Sequence, residues 1–385
     1  MASFTTSSGR QPRGLMKING TVTPGWIDME VDNHGHQAAD TFRVKIAAGA
    51  LSQFAGPNGV VMDAAWFCSQ TDLFAELYMG VPADASSFGP ADLTSWIYGQ
   101  ADEIEFDPVR GIISLSGRDL TRLLIDTKTT MKWPEKTSSQ IATLIAKSHG
   151  LTAVVTATTT KAGKFYELEH AKMAQEVSEW DILSHLANDE GFTVYVRGQT
   201  LYFQPKTDPS TATPYDLIWT PATAQTPKAA NVQHIRLKRA LTVSRGIEVE
   251  IRSWNKKSAN GFVVKYPTGI STITAGKSKV GAGAQVYAKT IPNLTRDQAE
   301  KYAETWYAKL IQHEMQIDVT MPADNALDIN SVIRLSGTGT AFDQIYYPDS
   351  ISRRMSMSDG YTMNVAARNQ SPDMADSQSL EEGEV

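Results

Sequence analysis

Histidines in a turn, adjacent carboxylates, a glycine-rich loop, an exposed-looking serine and one thiol are the residues here that could do chemistry. His34-Gly-His36, with Asp32 or Asp40 nearby, offers ligand types for a transition metal, but a polar turn does not preorganise the donor set such a site needs. Asp189-Glu190 resembles an acid/base pair, yet adjacent residues on a helix point apart, which reads as a solvated helix end. Gly337-Thr-Gly-Thr340 lacks the Lys of a phosphate-binding loop and reads as a turn between strands. Ser116-Gly117 lacks the glycine pattern of a nucleophile elbow. Cys68, the only cysteine, excludes intrachain disulfides and cysteine-based zinc sites; with no cue for activation it is expected to be buried. No catalytic, cofactor-binding or metal-binding residue is assigned, and no cofactor is expected.

The elements that would have to position any site point elsewhere. The chain has 385 residues, 41% hydrophobic and 20% charged, enough for about two to three domains with real cores. No apolar run of about 18 residues spans a membrane. The first residues are polar without the apolar core of a signal peptide, so assembly in the cytoplasm is expected. The net charge of −6 hides a segregation. Met1 to Gly117 holds 13 acidic and 6 basic residues, a balance of −7; Leu217 to Arg296 holds 13 basic residues against Glu248 and Glu250, a balance of +11. Such separation favours surfaces facing different partners over one enzyme cleft. Trp219, Trp254, Phe262, Tyr266 and Tyr287 lie in the basic stretch, a pattern that can bind nucleic acid. Aromatics as strand core and lysines as edge protection is the simpler reading.

Period-two alternation predicts strands over Lys17–Thr23, Trp26–Val31, Thr41–Ala47, Leu73–Met79, Trp96–Asp107 and Gly111–Gly117, with a hairpin turn at Asp107–Gly111. Asp119 is positioned to cap a helix carrying Leu120, Leu123 and Leu124. Thr137 and Gln140 form a capping box for a second helix, and Ser178 with Asp181 caps a third that Gly191 ends, Phe192 packing back on it. Gly198 suits a type II′ hairpin between Phe192–Arg197 and Thr200–Gln204. Beyond a Thr/Pro-rich linker, strands recur at Tyr215–Trp219, Val232–Lys238, Gly246–Ser253, Gln316–Met321, Ser331–Leu335, Asp349–Met357 and Tyr361–Arg368. A long helix capped by Thr295 and Gln298 interrupts them, its stripe being Ala299, Tyr302, Ala303, Trp306 and Leu310. Residues 254–290 are expected to form a long loop or flexible hairpin.

One internal echo stands out. Asp102-Glu-Ile-Glu, Gly111 and Arg118-Asp119 are matched by Asp349-Ser-Ile-Ser, Gly360 and Arg368-Asn369: a hairpin whose second strand runs into Arg and then Asp or Asn. Together with Leu115-Ser-Gly-Arg-Asp-Leu120, the Thr137–Ala146 helix, and Glu179-Trp-Asp-Ile-Leu, Glu190-Gly191-Phe192 and Leu201-Tyr-Phe203, the sequence resembles phage baseplate hub proteins. The likeness is to the late control protein D family and the hub of Mu-like phages, over about residues 15–370. It implies an α+β fold of two tube-type antiparallel β-barrel domains linked by small α/β modules: a flexible arm 1–14, a first barrel 15–117, a connector 118–205 with a small module at 178–204, a second barrel 206–370 with the long helix 295–313, and an acidic tail 371–385. Gly117, Arg118, Asp119, Gly191, Phe192 and Arg368 are then structural motif residues. The resemblance also implies a non-enzymatic late virion protein in the tail baseplate. It would be a homotrimer joining the sixfold tail tube to the threefold central spike, touching tape-measure and baseplate wedge proteins, and passing DNA through its channel without reading its sequence. The other classes weighed are a hub-associated peptidoglycan hydrolase, for which no insertion large enough is present, and a nucleic-acid-binding module.

Overall fold

The protein is described by a computed structural model over residues 11–35, 38–52, 54–56, 59–129, 131, 133, 135–159, 177–205, 212–240, 247–254, 261–268, 285–291, 296–311 and 315–369. Strands dominate, with helices between them, an α+β architecture in two units. The expected arm and acidic tail lie largely outside the described residues.

The first unit comprises Met1–Thr207, Pro322–Asp328 and Ser350–Asn364. It opens on β1 (Arg13–Ile18) and β2 (Thr21–Thr23), where a single strand over Lys17–Thr23 was expected. Asn19 and Gly20 both take positive φ, 48° and 81°, and Asn-Gly turns the chain into a hairpin. There follow β3 (Trp26–His34), β4 (Thr41–Ala47), the short helices α1 (Ala48–Leu51) and α2 (Ala64–Ser69), β5 (Phe74–Gly80), β6 (Thr94–Asp107) and β7 (Ile112–Asp119). The ladder order is β3-β4-β7-β6-β5-β1-β2, antiparallel throughout, and Ser350–Ser356 pairs the outer side of β3. Alternate residues Met29 and Val31, Val44 and Ile46, Ile113 and Leu115 are fully buried. Each such side chain contributes about 1.5–3 kcal/mol.

The same unit continues through α3 (Thr121–Asp126), β8 (Lys128–Thr129), α4 (Ser138–Ser148), β9 (Thr152–Val155), β10 (Val177–Ser178), α5 (Glu179–Glu190), β11 (Phe192–Arg197) and β12 (Thr200–Pro205). The sheet β11-β12-β9 is mixed, β9 running parallel to β12. Ile141 and Ile145 of α4 and Leu183 and Leu186 of α5 pack with Val194, Leu201 and Phe203. The Thr137–Gln140 capping box forms, Ser178 accepts from the Asp181 amide, and Gly191 closes α5 at φ 71°. Gly198, at φ 59°, opens the β11–β12 turn. Asp119 is not the cap residue of α3: it ends β7, and Leu120 takes that position.

The second unit comprises Asp208–Met321, Ile329–Asp349 and Val365–Val385. Its elements are β13 (Tyr215–Thr220), β14 (Ala229–Ala230), β15 (His234–Arg239), β16 (Ile247–Ser253), β17 (Phe262–Tyr266), β18 (Gln285–Thr290), α6 (Arg296–Ile311), β19 (Met315–Pro322), β20 (Ile333–Ser336), β21 (Ile345–Ser356) and β22 (Gly360–Arg368). β21 runs on into the first unit, and β22 begins there and ends in the second. One ladder reads β14-β13-β20-β21 and another β15-β19-β22. The stretch expected as a long loop or flexible hairpin over 254–290 supplies β17 and β18, which pair not with each other but with β16, flanking it in a three-stranded sheet. Ile247, Val249, Ile251 and Val264 of that sheet bury Ala299 and Ala303 of α6. Tyr302 leaves the expected stripe: it is exposed, and Lys289 donates to its hydroxyl. Thr295 lies outside the described residues.

Gly117 sits where β6 slips register between Ala101 and Glu103. A Cβ there would fall 2.1 Å from the Gln100 carbonyl oxygen, whereas one at Gly49 in α1 would meet nothing within 4 Å. Gly117→Ala is therefore expected to cost about 3 kcal/mol in chemical denaturation, backbone being unable to yield cheaply. Gly49→Ala should leave stability level or raised by up to about 1 kcal/mol.

Candidate functional site

Two arginines clamp the two long hairpins. Across β6 and β7, Arg118 donates from Nε and Nη2 to the Asp102 carboxylate at 2.8 and 3.1 Å. Arg122 of α3 reaches the same carboxylate at 3.2 Å and Asp126 at 3.1 Å. The Arg118 hydrogen bonds hold Asp102 below the usual carboxylate range. Across β21 and β22, Arg368 pairs with Asp349. The residues that echo each other in sequence thus form the same ion pair in each unit. All four side chains are partly exposed, so each pair contributes about 1 kcal/mol at most, and orientation matters more than strength.

The residue after each arginine locks the end of its strand. The Asp119 amide donates to the Asp40 carbonyl at 2.9 Å, and its carboxylate accepts from the Thr121 amide at 3.1 Å and hydroxyl at 2.9 Å. Asn369 accepts from the Met315 amide and donates its own amide to the Met315 carbonyl, both at 3.1 Å. Asp119 is only 5% exposed. Burial first, and the nearby Asp40 second, push its carboxyl well above the usual range. Gly191 and Phe192 set the exit from α5, Phe192 lying 5.3 Å from the Phe203 ring centre. At the far end of β11, Arg197 pairs with Asp328.

A second polar centre has no counterpart in the sequence reading. Arg353 is fully buried, its guanidinium 3.4 Å from the Trp96 ring centre. It donates to Asn33 Oδ1 at 2.7 Å and to the Leu327 carbonyl, and burial lowers its pKa to about 10. Asn33 in turn donates to Asp40 at 2.7 Å. Tyr361, pushed up to about 12 by burial, donates to Asn325, which donates to the Met79 carbonyl and the Thr94 hydroxyl. Alternation was the missed signal: Ile351 and Met355 face inward, so Arg353 between them must do so too.

The other chemical candidates are occupied or dispersed. Asp40 accepts from Asn33 and the His34 amide, and His36 lies outside the described residues. Asp189 lies 3.4 Å from His185 while Glu190 accepts from Ser138 at 2.6 Å. Asp343 fills the Gly337–Thr340 turn, accepting from the Thr338 amide and hydroxyl and the Gly339 amide. Cys68 is exposed, not buried, because the six-residue α2 spends its inward position on Phe67. Of the aromatics in the basic stretch, Phe262, Tyr266 and Tyr287 pack on the β16 core, whereas Trp254 is 62% exposed. Among the described residues no three His, Cys, Asp or Glu side chains are grouped to hold a metal, and no helix is long and apolar enough to cross a membrane.

No family profile and no curated protein matches the sequence. Solved structures do match. The chain is similar to a tail protein from Neisseria meningitidis MC58, with 14% identity, a TM-score of 0.65, and 93% of this chain and 97% of that one covered. It is similar to the 43 kDa tail protein of prophage MuSo2 from Shewanella oneidensis, at 15% identity and a TM-score of 0.63, covering 94% and 99%. Prophage tail protein gp18 from Listeria monocytogenes EGD-e aligns at 10% identity and a TM-score of 0.51, covering 94% of each chain. The chain therefore has the fold of phage tail proteins, along almost its whole length.

The contrast between Asp119 and Asn369 generates a test. A carboxyl raised in the folded state lends stability below its unfolded pKa of about 3.9, and that stability is lost as pH rises through the folded value. Asp119→Asn, which copies the second hairpin, keeps an acceptor for Thr121 and removes the buried charge. Its melting temperature should match wild type near pH 4 and exceed it increasingly toward pH 8.

Proposed function

We propose that the chain is a structural baseplate hub of a phage or phage-like tail. Three copies form an adaptor between the sixfold tail tube and the threefold central spike and enclose part of the DNA channel. In this reading residues 15–117 and 206–370 are two tube-type β-barrel modules, joined by the connector 118–205. Tape-measure and baseplate wedge proteins are further neighbours, and the molecule resides in the virion's tail baseplate.

The observation that carries the reading is the repeated clasp, Asp102–Arg118 in one unit and Asp349–Arg368 in the other, within a fold shared with tail proteins. Two kindred hairpin modules per chain let three copies present six similar surfaces, which is how a threefold body meets a sixfold one. The opposed charges of the two halves support head-to-tail contacts between unlike modules.

Native mass measurement of the purified chain, alone and with a tail-tube protein, is expected to find three copies, with assembly weakening as salt rises from low to about 0.5 M. A chain that stays monomeric with and without the tube protein would remove the reading.

A further inference from the structure

Among the strand edges left open in the described residues, two are opposite in charge. β6 pairs with β5 through Thr94–Gln100 and with β7 from Gly99 onward, so only Gly99 and Gln100 are paired on both sides. Beyond Gln100 the ladder continues with β7; the Ala101 amide still donates to the Leu73 carbonyl at 2.8 Å, and Asp102–Asp107 presents a free edge among the described residues. Its Asp102, Glu103, Glu105 and Phe106 are exposed and its Ile104 is half-buried. In the other unit β15 pairs, among the described residues, only with β19. His234, Arg236, Lys238 and Arg239 are exposed there, and Ile235 and Leu237 are half-buried. Among the described residues no side chain pairs with Glu103, Glu105 or Arg236.

We infer that these two edges are made for each other, and that β15 of one copy of the chain adds to the free edge of β6 in the next. One antiparallel register satisfies every position. With Glu105 opposite Arg236, Glu103 meets Lys238 and Asp107 meets His234 on one face. On the other, Ile104 meets Leu237 and Phe106 meets Ile235. Shifting the register by one residue would set charges against apolar side chains.

Several observations make the occupant a second copy. Both strands keep the alternation of charged and apolar residues that a buried neighbour would complete, and among the described residues neither has that neighbour. The charges belong to the acidic first and basic second halves. Charged residues alone are the ordinary device that blunts an edge. Here the two devices cancel when the edges meet, so each edge repels its own kind and accepts the other. Lys238 lies 3.0 Å from Asp318 and Asp102 is held by Arg118 and Arg122, so Glu103, Glu105 and Arg236 supply the uncommitted charge. The contact joins unlike surfaces, is heterologous, and closes into a ring if the rotation allows. The copy number of three comes from the hub reading, on which this inference rests for closure alone.

The test uses the full chain and measures self-association by sedimentation. Glu103→Lys with Glu105→Lys, or Arg236→Glu with Lys238→Glu, is expected to weaken association about tenfold or more, since opposed pairs become like-charged. The chain carrying all four substitutions should recover it. In a second arm, Glu105→Cys chains are mixed with Arg236→Cys chains, each also Cys68→Ser, and should form a disulfide-linked dimer under oxidation; facing positions lie within disulfide reach. Association unmoved by either reversal, no recovery in the fourfold variant, or no cross-link would overturn the inference. A trimer indifferent to these changes would leave the hub reading standing without this interface. Assembly through these edges in another copy number would do the reverse, and a permanently monomeric chain would remove both.

Discussion

An exposed strand edge carries a row of backbone donors and acceptors that must be blunted, covered or paired, and this constraint organises the functional account. In the first unit β6 outruns β5 by seven residues, and among the described residues only β7 lies beside its stretch Asp102–Asp107. Such a hairpin arm is stiff only if its base is held. The register slip at Asp102 loosens the ladder at that base, and Arg118, reaching back to Asp102 and supported by Arg122, replaces lost backbone order with side-chain contacts. The Asp349–Arg368 pair likewise ties the two strands of its own hairpin.

Within the first unit, specificity comes from the interior. Arg353 arrives on a strand from far along the chain and finds a ring, a side-chain amide and a backbone carbonyl, supplied by Trp96, Asn33 and Leu327. A buried guanidinium is costly to leave unpaired, so no other register of β21 against β3 is tolerated. Asn325 adds a second tie from the same 322–328 segment, to Met79, Thr94 and Tyr361. The chain segments that complete this unit are therefore selected by polar geometry as well as by apolar burial.

How much of this was legible in the sequence depends on how local each signal is. Caps were readable, since Thr137, Ser178 and Gly191 act on residues three or four positions away. The echo between Asp102, Arg118, Asp349 and Arg368 was readable because cross-hairpin partners sit at similar spacing in both copies. Asn19-Gly20 shows the opposite failure, a local turn signal hidden inside an apolar run. β17 and β18 escaped notice because Lys, Gly and Ser dilute their alternation; what makes them strands is β16, to which both are hydrogen-bonded. Arg353 needed the partner elements in view, and so did the open edges, because an edge is a statement about which neighbour is missing.

The most direct measurement is the arrangement of copies in the assembly this chain forms with a tail-tube protein, imaged by electron cryomicroscopy without imposed symmetry. The account predicts three copies about one axis, with the Asp102–Arg118 and Asp349–Arg368 hairpins alternating at closely similar radius in six near-equivalent positions. Hairpins at clearly different radii, or a copy number other than three, would contradict it.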